Sequence, residues 1–230
     1  MYFPIGDIHG EYDATARLYD KIVNLVEGGI DPAFGGTIVF LGDYIDRGKD
    51  TKKVLDFLMN LKDTDNLKHH FLMGNHEEFM LHCRYNPNDR QTAWQWLKHG
   101  GKETLEAFNA DLQDLHDGML DNYTEWMINL PLMLHDHDYV FVHAAIDPNV
   151  KLEGQLRERC LWHFEENPMK YTNYRKIVVH GHMTKKEGPI IDIPNNRIWM
   201  DVGANFRKRH CTVGLPEPFE PGVEIKTYWV

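Results

Sequence analysis

The chain's 230 residues, 42% hydrophobic and 26% charged, suffice for one sizeable core and exclude disordered and fibrous classes. A formal net charge of -10 argues against a broad nucleic-acid or anionic-membrane surface, so an anionic substrate must be drawn by a local feature. No apolar stretch approaches the roughly 18 residues of a membrane span, and the first residues run straight into a strand pattern without a leader-like region, so we expect a cytoplasmic protein.

In chain order, Tyr2-Phe3-Pro4-Ile5 reads as a strand that breaks into the polar cluster GDIHG. Residues 11 to 27 follow as a helix with Leu18, Ile22, Leu25 and Val26 on one face and a stop at Gly28-Gly29. The run TIVFL at 37 to 41 is a second strand and breaks into GDYIDRG, which on its own would be an ordinary polar turn. Residues 50 to 62 form a second helix, capped by Asp50 or Thr51, with Val54, Leu55, Leu58 and Leu61 as its apolar stripe. His70-Phe71-Leu72-Met73 is a third strand and breaks into GNHEE. This β-α-β-α-β order implies parallel strands, whose ligands gather beyond the carboxyl ends.

Residues 86 to 131 are helical and acidic, with Trp94, Trp96, Leu97, Leu105, Phe108, Leu112, Leu115 and Trp126 as internal packing; we read a helical insertion. Tyr139 to Val142, running into HAAID, and Ile177 to Val179, running into HGHM, bring the strands of this design to five in one arrangement. After His182, strands at Pro189–Ile193, Arg197–Val202, Cys211–Leu215 and Glu224–Val230 predict a second sheet, all within a single domain over 1–230. Cys83, Cys160 and Cys211 lack a C-x-x-C pattern and read as inert buried thiols.

Asp7 and His9, Asp43, Asn75 and His76, His143, and the pair His180 and His182 stand at the five strand ends. Such oxygen and imidazole donors suit first-row divalent metals, and the absence of thiolates argues against a structural zinc site. Asp7 and His9 can grip one ion, Asn75, His143 and His182 a second, and Asp43 can bridge them, although spacing alone allows other assignments. Two ions roughly 3.5 to 4 Å apart would clamp a phosphate and acidify a bridging water. Against two carboxylates and one hydroxide they leave about one positive charge, which attracts phosphate locally. Arg47 adds a planar fork for phosphate oxygens.

GDIHG, GDYIDRG, GNHEE, VHAAID and GHM, in this order, resemble the motifs of the PPP-type, calcineurin-like metallophosphoesterases. That group includes the Ser/Thr protein phosphatases, their phage and bacterial relatives, and the symmetrical diadenosine tetraphosphatases. The resemblance runs from Gly6 to Phe206; WLKHGGKETL, LPLML and RIWMDVGANF also resemble bacterial members. It implies an α/β fold, a four-layer α-β-β-α sandwich of two mixed sheets. It implies Asp7, His9 and Asp43 on one metal, and Asp43, Asn75, His143 and His182 on the other, with Mn2+ as the ion and Fe or Zn as alternatives. It further implies His76 as general acid, Asp46 orienting its imidazole, and Arg47 holding the phosphate. His180 is then a packed strand histidine, and Glu77 and Glu78 are carboxylates at a helix start.

The expected activity is hydrolysis of phosphomonoesters by direct attack of a metal-bridging hydroxide, on the pattern of a Ser/Thr protein phosphatase acting on a phosphoprotein. The alternative is a symmetrical bis(5'-nucleosyl)-tetraphosphatase acting on a dinucleoside polyphosphate. The insertion and the 149–175 loop would form the walls that choose between them. Relatives commonly carry Leu-Trp-x-Arg, whereas Leu161-Trp162-His163-Phe164 puts a phenylalanine at the arginine's place, and Ala145 replaces a usual glycine. We expect Arg175, Arg207 or Arg209 to supply the missing cation. A P-loop fails because five residues separate Gly42 from Gly48-Lys49, and H-E-x-x-H fails because Met80 stands where its second histidine belongs. An inactive relative used as a protein-binding module would have to have kept every ligand position by chance.

Overall fold

The computed structural model describes residues 1–28, 35–164, 170–171, 174–185, 187–220 and 222–230. β1 (Tyr2–Ile5), α1 (Tyr12–Glu27), β2 (Gly36–Phe40), α2 (Thr51–Asn60) and β3 (Leu67–Phe71) make the β-α-β-α-β run, and the three strands pair in parallel. α1 ends at Gly28, while Gly29 lies outside the described residues. Asp50 occupies the N-cap position of α2, but its carboxylate pairs with Lys53 at 2.6 Å instead of capping. After α3 (Asn75–Tyr85) come α4 (Arg90–Trp96), a kinked stretch over Leu97–Gly101, α5 (Lys102–Ala107), α6 (Leu112–His116) and α7 (Asp121–Ile128). The remaining elements are β4 (Met133–His135), β5 (Tyr139–Val142), α8 (Arg157–Trp162), β6 (Ile177–His180), β7 (Ile190–Asp192), β8 (Arg197–Trp199), α9 (Ala204–Arg207), β9 (Cys211–Gly214) and β10 (Lys226–Trp229).

The strands form two mixed sheets of five, in the orders β10-β9-β1-β2-β3 and β4-β5-β6-β8-β7. This divides the strands differently from the sequence reading. β5 and β6 leave the first three strands and lead the second sheet, whereas β9 and β10 return to the first. The reason is the edge of β1: Phe3 and Ile5 are buried, and such a strand needs a neighbour on its far side. β9 supplies it, pairing antiparallel with Ile5 opposite Thr212, and brings Cys211 and Val213 into the interior.

The side-chain alternation of β2 shows how the layers stack. Ile38 and Phe40 pack with Leu18, Ile22, Val54, Leu55 and Leu58 of the helices, while Val39 and Leu41 pack with Tyr139, Phe141, Val179 and Ile198 of the second sheet. On that sheet's outer face, Val140, Val142 and Val178 lie under Ile146, Cys160 and Tyr171. Each fully buried Leu, Ile or Phe contributes roughly 1.5–3 kcal/mol. In the insertion, Trp96, Leu105, Phe108 and Leu115 are buried as expected, but Trp94 is 57% exposed, its ring covered on one face by Lys98 Nζ at 3.8 Å.

Candidate dinuclear metal centre and active site

The donors stand where chain leaves strand. Asp7 and His9 follow β1, Asp43 follows β2, Asn75 and His76 open α3 just after β3, His143 follows β5 and His182 follows β6. The first sheet thus delivers five of them and the second delivers His143 and His182, all at the carboxyl ends of parallel strands. Asp43 lies at the middle. Its Oδ2 is 3.5 Å from His9 Nε2, and its Oδ1 is 3.4 Å from His143 Nε2. Asn75 Oδ1 lies 2.9 Å from His143 Nε2 and 3.0 Å from His182 Nδ1. Asp7 Oδ2 is 3.9 Å from His9 Nε2, and Asp7 Oδ1 accepts from the His182 N–H at 2.9 Å. Two donor groups with one carboxylate in common result, His9, Asp43 and His76 on one side and Asp43, His143 and His182 on the other.

The residues present fit a pair of cations. His9 Nδ1 and His143 Nδ1 each meet a carbonyl oxygen, of Ile45 and of Leu41, at 2.8 Å. Each therefore carries its proton there, and Nε2 is left as a bare lone pair facing the cluster. His9 Nε2 is buried with no hydrogen-bond partner among the described residues. Burial, with Asp201 and Asp43 nearby, pushes the Asp7 carboxyl well up, and burial with Glu77 nearby does the same to Asp43. Burial pushes His182 down to about 2. A divalent cation among them would reverse the acids' resistance to ionisation, while imidazoles that resist protonation are already in the neutral form that binds one.

Beside the cluster lies a hydrogen-bonded chain of three side chains. Arg47 Nη2–H donates to His76 Nε2 at 3.0 Å, so the imidazole's own proton sits on Nδ1, donated to Asp46 Oδ2 at 2.6 Å. Asp46 is fully buried, and burial raises its carboxyl to about 7 against the lowering from Thr104 and Trp96, which both donate to it. The loops that present these groups are strained: His9, Asp43, Asp46, Arg47 and His182 all have φ between 46° and 71°. Residues with a Cβ rarely adopt that conformation, and such outliers cluster at working sites.

A family model for calcineurin-like phosphoesterases matches residues 5–185. The chain belongs to this family. Over 146 residues, 63% of the chain, the phosphoesterase is 34% identical to serine/threonine-protein phosphatase 2B catalytic subunit A2 of Saccharomyces cerevisiae, and it spans 20% of that protein's length. It is 26% identical to the asymmetrical bis(5'-nucleosyl)-tetraphosphatase PrpE of Bacillus subtilis, covering 94% of this chain and 91% of that one. A solved serine/threonine phosphatase from Saccharomyces cerevisiae shares the fold, with a TM-score of 0.63 at 17% identity over 99% of this chain and 78% of the other.

The phosphoesterase brings every predicted ligand, together with His76, Asp46 and Arg47, into this one region, and leaves His180 outside it. The His180 ring is buried, accepts from Arg197 Nε at 2.7 Å and packs on Trp199, as a strand histidine should. Sequence reasoning undervalued Glu77. It is fully buried, Oε2 accepting from the N–H of Asp43 at 2.8 Å and of Gly74 at 3.0 Å, and Oε1 accepting from Tyr44 N–H at 2.8 Å. The available signal was its place three residues after Gly74, the capping-box position. Asp201 was also missed: buried beyond β8, it accepts from Thr184 Oγ1 at 2.7 Å and Gly203 N–H at 2.8 Å. A lone aspartate in the apolar run IWMDV was its signal.

Phe164, at the expected arginine's place, is 67% exposed. Its neighbour Trp162 donates through Nε1 to Glu78, which also receives Arg157, so Glu78 anchors α8 beyond its place at the start of α3. Of the cations expected to compensate, Arg209 lies over the Trp229 ring at 4.7 Å, while Arg175 is exposed. Part of the 149–175 wall, residues 165–169 and 172–173, lies outside the described residues. No helix among the described residues is long and apolar enough to cross a membrane.

Proposed function

We propose that this phosphoesterase hydrolyses phosphomonoesters of alcohols, as a Ser/Thr-type protein phosphatase working with two Mn2+ ions. The observation that carries the reading is the Asp46–His76–Arg47 relay set against the donor cluster. An alkoxide cannot leave without a proton, so a positioned imidazole is valuable for a seryl or threonyl phosphate. A nucleotide polyphosphate is already a stable anion when it leaves and gains far less.

In this reading Asp7, His9 and Asp43 hold one ion, and Asp43, Asn75, His143 and His182 hold the other. When bound, the pair would neutralise phosphate charge and lower the pKa of a coordinated water. The rest falls to the chain. Arg47 turns from His76 Nε2 to the phosphate oxygens, which its planar fork suits. Nε2, freed and taking up a proton from solvent, gives that proton to the leaving oxygen. Asp46 keeps the Nδ1 proton in place and stabilises the imidazolium from which the transfer starts.

A second reading, hydrolysis of a dinucleoside tetraphosphate, is favoured by the end-to-end likeness to the Bacillus subtilis enzyme. Parallel assays with a phosphoserine peptide and diadenosine tetraphosphate, each with added Mn2+, separate the two. Faster turnover of the peptide is expected, and a clear preference for the dinucleotide would overturn the first reading. His76→Asn should lower kcat on the phosphoserine peptide by about 10²–10⁴ and on an aryl phosphate far less. A protein that purifies without transition metal and stays inactive with Mn2+ would instead be a binding module.

A further inference from the structure

The helical insertion reaches back to the relay through one stretch, Trp96-Leu97-Lys98-His99-Gly100-Gly101-Lys102-Glu103-Thr104. Trp96 and Thr104 are fully buried, and both spend their polar atoms on Asp46. Trp96 Nε1–H donates to Oδ2 at 2.9 Å, and Thr104 Oγ1–H donates to Oδ1 at 2.6 Å. In return the Asp46 N–H donates to Thr104 Oγ1 at 2.9 Å, so the hydroxyl's proton and a lone pair are both committed to one residue. Both carboxylate oxygens are thereby fixed, and the direction left open is the one from Oδ2 to His76 Nδ1 at 2.6 Å.

The two glycines complete the fit. Gly100, at φ 117°, offers its carbonyl to the Arg47 N–H at 3.2 Å, and a Cβ there would stand 2.4 Å from that nitrogen. At Gly101 a Cβ would stand 2.4 Å from the Trp96 indole, so only glycine lets the ring lie against the chain. Gly100, in a conformation outside the helical region, kinks the chain between Leu97 and Gly101 and puts these contacts on one side of the insertion.

We propose that this stretch is a positioning cradle for the proton relay: Trp96 and Thr104 aim the Asp46 carboxylate at His76, and Gly100 holds the Arg47 backbone. The inference rests on the reading of His76 as general acid, and gives the insertion a part in chemistry beyond any part in shaping the substrate groove. A carboxylate released from Thr104 can turn about its Cβ–Cγ bond, and His76 then loses its orientation without losing its place. The losses should therefore follow the leaving group, as they do for His76 itself.

The test compares kcat on a phosphoserine peptide and on p-nitrophenyl phosphate, with Mn2+, for His76→Asn, Thr104→Val, Thr104→Ser and Trp96→Phe, after bound metal and thermal melts have been measured. Thr104→Val is expected to lose about ten- to a hundredfold on the peptide and less than about threefold on the aryl ester, with Thr104→Ser restoring most of the loss. If His76→Asn loses equally on both substrates, the general-acid reading fails. If His76→Asn is selective and Thr104→Val is not, the cradle fails while that reading stands. Should Thr104→Val not fold, Trp96→Phe, which removes one N–H and keeps an aromatic ring, decides by the same comparison.

Discussion

Glu77 shows what a single side chain can organise from outside the reacting set. Its two oxygens collect the backbone N–H groups of Gly74, Asp43 and Tyr44, and so clamp the loop that carries the shared aspartate against the start of α3. Glu77→Gln keeps the shape but turns a donor towards N–H groups that need an acceptor. It should cost about 2–4 kcal/mol in urea denaturation of the metal-free protein. It should also weaken Mn2+ binding by about 10–100-fold in a direct titration; unchanged affinity would remove Glu77 from the site. The proposed ligands were legible as candidates because each follows an apolar run, and a strand end is a place that sequence marks. Glu77 was not, since the same residue at a helix start serves the dipole or a neighbouring loop, and only the approach of Asp43 decides which. Trp94 and Trp96 were indistinguishable for a similar reason: both satisfy the apolar pattern, and one has an acceptor for its N–H inside while the other faces out.

At the scale of the element, β9 was recognised as a strand but assigned to the wrong sheet. Alternation tells which face of a strand is apolar, not which free edge it will occupy, and the edge of β1 was visible only once five strands had been sorted into two sheets. The return of β9 also buries His210, the residue just before it. Its Nδ1 accepts from Cys211 N–H at 3.0 Å, so the ring is held neutral, and burial lowers its pKa from 6.5 to about 4. The sign follows: between these values the unfolded chain binds a proton that the folded chain refuses. The stabilisation is whole above pH 6.5 and falls as pH drops, by about 3 kcal/mol at the lower limit. Urea midpoints measured from pH 7 to 4 should slope less in His210→Asn than in the parent; parallel slopes would assign the acid sensitivity to other groups.

For the molecule as a whole, the β-α-β-α-β opening and the helical stretch were legible from periodicity, whereas the facing of the two sheets was legible only through the resemblance of the motifs. That facing matters because it brings His143 and His182 to Asp43 and Asn75 across the interior. The contact behind it is apolar: the Phe141 ring lies 5.0 Å from Tyr2, between β5 and β1. Phe141→Leu should cost roughly 1–2 kcal/mol, between the values for losing one methylene and for losing a whole ring. It should also weaken Mn2+ binding several-fold in titration, although the residue is not itself a proposed ligand; unaltered binding would mean that the proposed ligand loops hold their spacing independently of the sheets. The donor set therefore works as a gauge of alignment, closed only when the two halves of the sandwich sit in register. On the proposed reading, an ångström of slip between them would open the 3.4 Å gap from His143 to Asp43, so weakened metal binding is the expected report that the layers have parted.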